Sequence, residues 1–210
     1  MTLQTKLSQG LKEADIMLPP DVQQKLLDYL GLMQKWNKVH NLTAVREPEE
    51  MVTLHLLDSL SVLPYVKGQR LLDVGSGAGL PGIPLAICKS DLQVTVIDSS
   101  HKKASFMRQA KAELGIENLE VVCARAEAYQ PQQLFDTVIS RAFSDLAEFL
   151  QLTRHLGNAG AQWLAMKGVY PFEELAQVKI EPVQVLPLTV PGLEAQRHLV
   201  FLSADNLKAA

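Results

Sequence analysis

The stretch from Asp73 to Gly82 constrains the fold more than any other part of the chain. It reads Asp-Val-Gly-Ser-Gly-Ala-Gly-Leu-Pro-Gly and ends a short apolar run that predicts a buried strand, Arg70–Val74. Glycine adopts positive φ without steric cost and lets another molecule approach the backbone closely. A tight turn from strand to helix needs only one such residue, whereas here four glycines fall within eight residues. The pattern therefore predicts a ligand-binding turn inside an α/β unit.

Strand and helix patterns alternate after Val66. Four more strands are predicted, at Gln93–Asp98, Leu119–Cys123, Phe135–Ser140 and Ala161–Met166. Helices are predicted at Leu80–Cys88, Lys102–Leu114 and Ser144–Leu156. This alternation is typical of an α/β fold with a parallel, doubly wound sheet.

The end of the chain departs from this alternation. Val183–Val190 and His198–Ser203 are predicted strands, and the segment between them contains the turn pair Pro191-Gly192. Two strands joined so closely predict an antiparallel hairpin at the edge of the sheet.

The first third of the chain is helical and poor in glycine. Apolar residues recur at helical spacing in three pieces that begin near Leu3, Asp21 and Pro48. We therefore predict two regions, an N-terminal helical extension over residues 1–66 and an α/β domain over residues 67–210. The helical region either covers an edge of the sheet or shapes the binding of a substrate.

Composition limits the cellular setting and the partners. No apolar run approaches the roughly 20 residues needed to span a bilayer, and the N-terminus lacks the apolar stretch of a signal peptide. Two cysteines, Cys88 and Cys123, are too few for a disulfide framework and are expected in the core. No cluster has metal-ligand spacing. We expect a cytoplasmic protein that binds neither a membrane nor a metal ion. Its net charge of −3 disfavours coating of nucleic acid through bulk positive charge but allows docking on one structured RNA.

Two classes of nucleoside cofactor fit the turn. Gly77-x-Gly79-x-x-Gly82 matches the dinucleotide fingerprint, and Asp98 lies where an acidic residue can bind a ribose hydroxyl. A nicotinamide-dependent oxidoreductase is therefore an alternative. Three observations favour a different cofactor: the glycines begin at Gly75, directly after the strand; Asp73 lies within the strand end; and the C-terminal hairpin is typical of methyltransferase sheets.

Residues 70–203 resemble a class I S-adenosylmethionine-dependent methyltransferase, a Rossmann-like fold with a seven-stranded sheet and a C-terminal antiparallel hairpin. Most of the chain is similar to the bacterial small-subunit (16S) ribosomal RNA guanine-N7 methyltransferases, also called glucose-inhibited division protein B. The glycine-rich stretch is specific only to the superfamily, and the pieces from the helical region are specific to the family. The stretches that carry the resemblance are Trp36–Thr43, His55–Ser59, Asp73–Pro84, Ile139–Phe143, Met166–Gly168 and Arg197–Val200.

The resemblance implies S-adenosylmethionine as the cofactor and a defined set of contacts. The residues expected to bind it are Gly75, Gly77, Gly79, Leu80, Asp98, Ala126, Glu127 and Arg141. Asp98 can accept a ribose hydroxyl, the open turn and Leu80 can contact the methionine part, and the family implies Ala126 and Glu127 for the adenine. Glu127 could instead be a helix-start carboxylate. Arg141 suits the methionine carboxylate or a substrate phosphate, or it could form a surface ion pair with Asp136 or Asp145.

The chemistry predicts that the enzyme acts by positioning, and we nominate no catalytic residue. The loop Ser140–Phe143 lacks the Asn- or Asp-Pro-Pro-aromatic sequence of exocyclic-amine methylases, and no cysteine falls where a cytosine-C5 methylase needs its nucleophile. Guanine N7 carries a lone pair and no proton, so it needs no general base. A methyltransferase acting on another RNA or on a small molecule is the remaining alternative.

The predicted RNA contacts are Arg46, Lys167 and Arg197, although each could be a solvated charge. The expected partner is 16S ribosomal RNA in the small subunit or an assembly intermediate, bound by a monomer.

Other charged and polar residues have simpler interpretations. His198 is expected as a packed strand residue, and His55 and Asp58 share one helix face, where a bond within the helix and a substrate contact are both possible. A solvated surface is expected for Lys102, Lys103, Arg108 and Lys111.

Overall fold

The computed structural model describes residues 1–141, 143, 145–177 and 184–203. Within these residues, seven strands form one sheet in the order β3-β2-β1-β4-β5-β7-β6. Their bounds are β1 Arg70–Val74, β2 Gln93–Ile97, β3 Leu119–Val122, β4 Phe135–Arg141, β5 Gly157–Lys167, β6 Gln184–Leu188 and β7 Arg197–Ser203. Ala142, Ser144 and Val183, which belong to a predicted motif, helix and strand, lie outside the described residues.

The predicted sheet is confirmed. β1 pairs in parallel with β2 on one side and β4 on the other, and β3 and β5 extend the parallel part. β7 runs antiparallel to both β5 and β6, which confirms the C-terminal hairpin. Because β1, β2 and β4 are parallel, their carboxyl ends meet at one edge, where ligands bind in open α/β sheets.

The helices of the α/β part are α5 Gly82–Cys88, α6 His101–Leu114, α7 Leu146–Thr153 and α8 Phe172–Gln177. The sequence predicts that α5 begins at Leu80, and this prediction is wrong because the helix begins at Gly82. Leu80 stays in the turn because its N–H and that of Gly79 both donate to the Ser76 carbonyl, at 2.9 and 2.8 Å. Helix α8 is not among the predicted helices, because its six residues are too short for a clear periodic signal.

The N-terminal region consists of α1 Leu3–Glu13, α2 Pro20–His40, α3 Pro48–Met51, a π-helical segment Val52–Leu57 and α4 Asp58–Leu60. The third predicted helix is therefore interrupted by a π-helical segment. Such segments are rare and frequently occur at functional sites.

The N-terminal helices and the sheet share one hydrophobic core. Leu26 and Leu30 of α2 are fully buried in the same cluster as Ile83 of α5 and Phe106 of α6. Trp36 adds an edge-to-face contact to Phe106, with ring centroids 5.6 Å apart. A second core lies on the other face of the sheet and contains Phe135, Phe149 and Trp163. The helical region is thus fixed against α5 and α6, while the boundary between 1–66 and 67–210 stays a prediction.

Both cysteines are half-buried against the first core. Within the described residues, no helix is long and apolar enough to cross a membrane. The same part of the chain contains no group of three or more His, Cys, Asp and Glu side chains arranged to hold a metal ion.

Candidate active site

The glycine-rich turn presents bare backbone to open space. Gly75 and Gly77 have φ of +67° and +62°, a conformation that L side chains rarely adopt. A Cβ at Gly75 would meet nothing within 4 Å, and one at Gly77 would meet only the Gly75 carbonyl oxygen, at 4.0 Å. Gly79, at φ +89°, differs because its Cβ would collide with the Ile83 side chain. The first two glycines therefore leave room for a ligand, and the third allows close packing.

Hydrogen bonds from side chains help to hold the turn in place. Asp73 Oδ2 accepts from the Gly82 N–H at 2.9 Å, and Ser76 Oγ donates to the Asp73 carbonyl at 2.7 Å. Tyr29 of α2 donates its hydroxyl to the Ala78 carbonyl at 2.5 Å. Asp73 is fully buried, and desolvation raises the pKa of its carboxyl to about 7 despite the Gly82 bond. The N-terminal region thus contacts the turn directly through a buried phenol.

A pocket of about 430 Å³ opens at the carboxyl ends of β1, β2 and β4. Its volume is in the range of small-molecule sites. Five of the eight predicted cofactor residues line it, namely Gly75, Asp98, Ala126, Glu127 and Arg141. The remaining lining residues are Val74, Ile97, Ser99, Lys103, Ala124, Arg125, Ser140, Phe143, Glu148 and Leu152.

The predicted cofactor residues outside the lining support the turn. The Gly77 N–H donates to Asp98 Oδ2 at 3.0 Å, so Gly77 orients the carboxylate that lines the pocket. Gly79 packs against Ile83, and the Leu80 side chain lies in the core at 4% exposure. Gly77 therefore contributes to the site by its hydrogen bond to Asp98, which lines the pocket. The Leu80 side chain lies away from the pocket lining.

Asp98 follows β2 and has a fixed orientation. Its Oδ1 accepts from the Ser100 N–H at 2.9 Å, and its Oδ2 also pairs with Lys103 Nζ at 3.3 Å. A carboxylate offers about four lone-pair sites, so acceptor capacity remains for a hydroxyl. Lys103, for which a solvated surface is expected, has a side chain that is 40% exposed, but the first turn of α6 also carries it to the pocket wall beside Asp98.

The loop after β3 forms another part of the wall. Ala126 is buried at the start of a single 3₁₀ turn, Ala126–Ala128. Glu127 lies in the first turn of this helix, where the dipole favours a carboxylate, and also lines the pocket. Its exposed ion pair with Arg125 is long, at 3.7 Å. Both interpretations of Glu127 are thus compatible with its position.

Arg141 ends β4 and bonds to the N-terminal region. Its Nη1 donates to the Leu54 carbonyl at 2.9 Å and to Asp58 Oδ2 at 3.2 Å. The alternative of an ion pair with Asp136 or Asp145 is wrong, because both carboxylates bind groups near them instead. Asp136 accepts the N–H groups of residues 69 and 70, and Asp145 caps α7.

Asp58 is the centre of a buried charge cluster. Its Oδ1 accepts from Arg197 Nε at 2.9 Å while Oδ2 binds Arg141, and the residue is 3% exposed. His55, one turn earlier, bonds through Nε2 to Thr43 Oγ1 at 3.0 Å. Burial, followed by the positive charge of Arg141, lowers the pKa of His55 to about 4, so its ring is neutral near pH 7. His55 and Asp58 therefore use their shared face for partners outside their helix.

The three predicted RNA residues do not form one group. Lys167 and Arg197 lie at the same end of β5 and β7, where Lys167 pairs in register with His198. Lys167 Nζ donates to the Phe143 carbonyl at 2.9 Å and to Glu174 Oε2 at 2.6 Å. His198 is half-buried, as expected for a packed strand residue, with Nδ1 3.2 Å from the Gly168 carbonyl oxygen. Arg46 lies elsewhere, exposed beside α2.

Sequence comparison identifies a family. A family model described as rRNA small subunit methyltransferase G matches residues 22–200. A protein of Methylobacillus flagellatus named ribosomal RNA small subunit methyltransferase G is 64% identical over 202 residues, which cover 96% of this chain and 98% of the relative. The protein of that name from Laribacter hongkongensis is 53% identical over 204 residues, covering 96% and 99%.

Solved structures agree on the fold. A SAM dependent methyltransferase from Aquifex aeolicus superimposes with a TM-score of 0.58 at 20% identity, covering 81% of this chain and 97% of that chain. Precorrin-6y C5,15-methyltransferase from Geobacter metallireducens gives a TM-score of 0.54 at 10% identity, covering 69% and 85%. The chain therefore has the Rossmann-like fold of these enzymes.

Proposed function

This chain belongs to the rRNA small subunit methyltransferase G family, and on that premise we propose that it transfers a methyl group from S-adenosylmethionine to N7 of a guanine in 16S ribosomal RNA. The observation that carries the proposal is the pocket at the carboxyl ends of β1, β2 and β4, where Gly75, Asp98 and Arg141 meet. Its position is the one at which open α/β sheets bind nucleoside ligands.

The strand order of the sheet counts against the nicotinamide-dependent alternative. A dinucleotide-binding sheet has the order 3-2-1-4-5-6, whereas here antiparallel β7 lies between β5 and β6. Gly82 does not discriminate between the two cofactors, because the third glycine of a dinucleotide fingerprint also allows a helix to pack closely on a strand. A Cβ there would lie 2.5 Å from Val96 Cγ1, so Gly82 allows α5 to pack on the sheet.

The residues of the pocket fit S-adenosylmethionine. The open space over Gly75 and Gly77 can receive the methionine part, and the Asp98 carboxylate can accept the ribose hydroxyls. Ala126 and Glu127, which the family resemblance implies for the adenine, line the same pocket, and the Arg141 guanidinium suits the methionine carboxylate or a substrate phosphate. Gly79 and Leu80 support the turn by packing behind it.

Bound S-adenosylmethionine supplies a methyl group on a positively charged sulfur. The chain's own residues then need only align guanine N7 with that methyl, because N7 has a lone pair and no proton to lose. Positioning of this kind lowers a barrier by roughly 7–11 kcal/mol. His55 is buried and Asp73 lies under the turn, so neither stands where it could act as a base on the substrate.

Membership of the family supports a proposal for the setting in which the protein acts. We propose that the protein acts as a cytoplasmic monomer on the small subunit or an assembling particle, with residues 1–66 shaping the RNA site beside the 67–210 domain. Arg197 stands close to Arg141 through their shared Asp58 partner and is suited to an RNA phosphate. The Lys167 side chain is 9% exposed and paired with Glu174, and it donates to the Phe143 carbonyl. We propose that it holds Phe143 in position and contacts RNA only when the pair with Glu174 opens.

Transfer of labelled methyl groups tests the proposal. Small ribosomal subunits, a 16S RNA transcript and a random RNA would each receive the enzyme and S-adenosylmethionine, and labelled nucleosides would be identified after digestion. We expect 7-methylguanosine, with the subunit or a subunit precursor as the best substrate. Equal transfer to random RNA, or label on adenine or cytosine, would overturn it. Calorimetry with S-adenosylhomocysteine and with NAD tests the cofactor separately, and binding of NAD alone would contradict it.

A further inference from the structure

A second pocket lies on the N-terminal region, outside the lining of the cofactor site. It has a volume of about 500 Å³ between α2 and the segment 46–51. Its lining contains three cationic side chains, Lys35, Lys38 and Arg46, and no carboxylate. We call it the basic pocket, and its remaining lining residues are Gly31, Gln34, Asn37, Pro48 and Met51.

The three cations have no carboxylate partner among the residues that the structure describes. All three residues are exposed. Glu47, Glu49 and Glu50 follow Arg46 in the chain, but none of them lines the pocket. In a protein with a net charge of −3, three positive charges around one concave surface form a local positive site.

The pocket is preorganised for an anion. Arg46 donates from Nη2 to Asn41 Oδ1 at 2.9 Å and from Nη1 to the Asn37 carbonyl at 3.3 Å, so its guanidinium is already oriented. These two bonds leave donors for a ligand, because a guanidinium has five N–H groups.

A chain of hydrogen bonds connects the basic pocket to Arg141. The Asn37 side chain holds the loop that follows α2, since Oδ1 accepts the Thr43 N–H at 3.0 Å and Nδ2 donates to the Val45 carbonyl at 3.3 Å. Thr43 Oγ1 contacts His55 Nε2, and the neighbouring Leu54 carbonyl accepts from Arg141. The loop that orients Arg46 therefore also braces the π-helical segment behind the cofactor pocket.

From this geometry we infer that the basic pocket binds backbone phosphates of the RNA substrate at a distance from the methylated base. The inference rests on the proposed function, because it assigns a second contact surface to the same RNA. Phosphate contacts fix the register of a nucleic acid without reading its sequence. The basic pocket would thus orient the RNA while Arg141 and Arg197 act beside the reacting guanine.

The test compares two triple variants of equal charge change. Lys35→Gln/Lys38→Gln/Arg46→Gln removes the cations of the basic pocket. Lys12→Gln/Lys67→Gln/Arg154→Gln removes three exposed cations that line neither the basic pocket nor the cofactor pocket. Affinity for a 16S RNA transcript would be measured for each protein over a range of salt concentrations, and S-adenosylhomocysteine binding would confirm an intact fold.

We expect the first triple variant to bind the RNA at least about tenfold more weakly than the wild-type protein. The slope of log affinity against log salt should become shallower by about 2, since each lost phosphate contact removes roughly 0.7–0.9. Cofactor affinity should stay unchanged, and the control triple variant should follow the wild-type protein. Equal slopes for the two triple variants would overturn the inference, as would a wild-type affinity that does not depend on salt. If the wild-type protein methylates no small-subunit RNA at all, the proposed function fails instead.

Discussion

Asp58 and Arg197, which are 139 residues apart in the chain, form an ion pair with 2.9 Å between Oδ1 and Nε. The other oxygen of the same carboxylate binds Arg141. One buried acid therefore holds two arginines from two different strands, and one of them, Arg141, lines the cofactor pocket. Asp58 does not line that pocket, so we assign it a positioning role.

Asp58→Asn should lower methyl transfer by about 10–100-fold, because hydrogen bonds to charged groups contribute about 1.5–3 kcal/mol each. The amide keeps the shape of the side chain but cannot accept from both guanidinium groups. Asp28→Asn, at an exposed carboxylate that accepts a bond from Gln24, is the control and should leave transfer unchanged. Wild-type rates in the Asp58 variant would show that the arginines are oriented by other contacts.

Arg141→Ala should reduce kcat/KM for methyl transfer by about 100-fold or more, as expected when a positioning contact is lost. RNA affinity should change much less, because phosphate contacts are distributed over several cations. Filter binding and single-turnover transfer on the same RNA separate the two quantities. When Arg141→Ala is combined with Asp58→Asn, the two losses of activity should not add, because both changes remove the same Arg141–Asp58 contact. Normal transfer by the Arg141 variant would place the cofactor elsewhere.

Gly75→Val should abolish binding of S-adenosylhomocysteine while the protein stays folded. The substituted side chain would point into the space reserved for the cofactor, and φ of +67° adds backbone strain of roughly 1–2 kcal/mol. Gly115→Val is the matched control, because Gly115 has φ of +58°, equally open surroundings and a position at the end of α6. Titration calorimetry should find cofactor binding in the control variant only, with similar losses of stability in both.

His55→Gln should change how stability depends on pH. Burial lowers the pKa of His55 to about 4, so below its usual value near 6.5 the unfolded state binds more protons than the folded state. The histidine therefore costs the wild-type protein stability as the pH falls from about 6.5 to 4. Between pH 7 and pH 5 this loss is about 2 kcal/mol.

Urea unfolding of both proteins at the two pH values measures this difference. Comparison with the variant is necessary because Asp73, with its raised pKa, acts in the opposite direction over pH 4–7. The variant should therefore gain about 2 kcal/mol relative to wild type on acidification. A difference that does not change with pH would mean that the folded protein accommodates a charged His55.

Gly31→Ala and Gly82→Ala should have opposite effects on the free energy of unfolding. Gly31 lies inside α2, where a Cβ would meet nothing within 4 Å, so alanine should stabilise the protein by about 0.5–1 kcal/mol. A Cβ at Gly82 would be 3.0 Å from Asp73 Cβ as well as close to Val96, so alanine should destabilise by about 1–3 kcal/mol. Denaturant midpoints of the two variants provide the test, and a shift in the same direction for both would contradict it.

Local patterns were sufficient to predict the sheet. β1 was predicted with its observed bounds because a buried apolar run ends at the glycine-rich turn, and the Pro-Gly pair between β6 and β7 indicated their hairpin. Five of the predicted cofactor residues line the pocket because strand ends and the residues after them meet at one edge of a parallel sheet.

The missed features depend on contacts between distant residues. Nothing in the spacing of Asp58 and Arg197 indicates that they pair. The π-helical segment reads as an ordinary helix because its apolar residues recur at a period of three to four, and Leu54 within it makes its contact with Arg141 only in the folded protein. Lys103 was assigned to solvent because helical periodicity does not show which residues of the first turn lie beside the end of β2.

The position of β7 has a consequence for how the protein is made. Among the strands that the structure describes, β6 joins the sheet only through β7, and β7 also covers the edge of β5. During synthesis the central strands, the glycine-rich turn and Asp58 all emerge before residue 197. Until then β5 has an uncovered edge, β6 has no strand to pair with, and Asp58 lacks one of its two arginines. A chain that stops short of β7 would therefore contain every residue proposed to bind the cofactor and still present an open sheet edge to other chains, which favours aggregation over function.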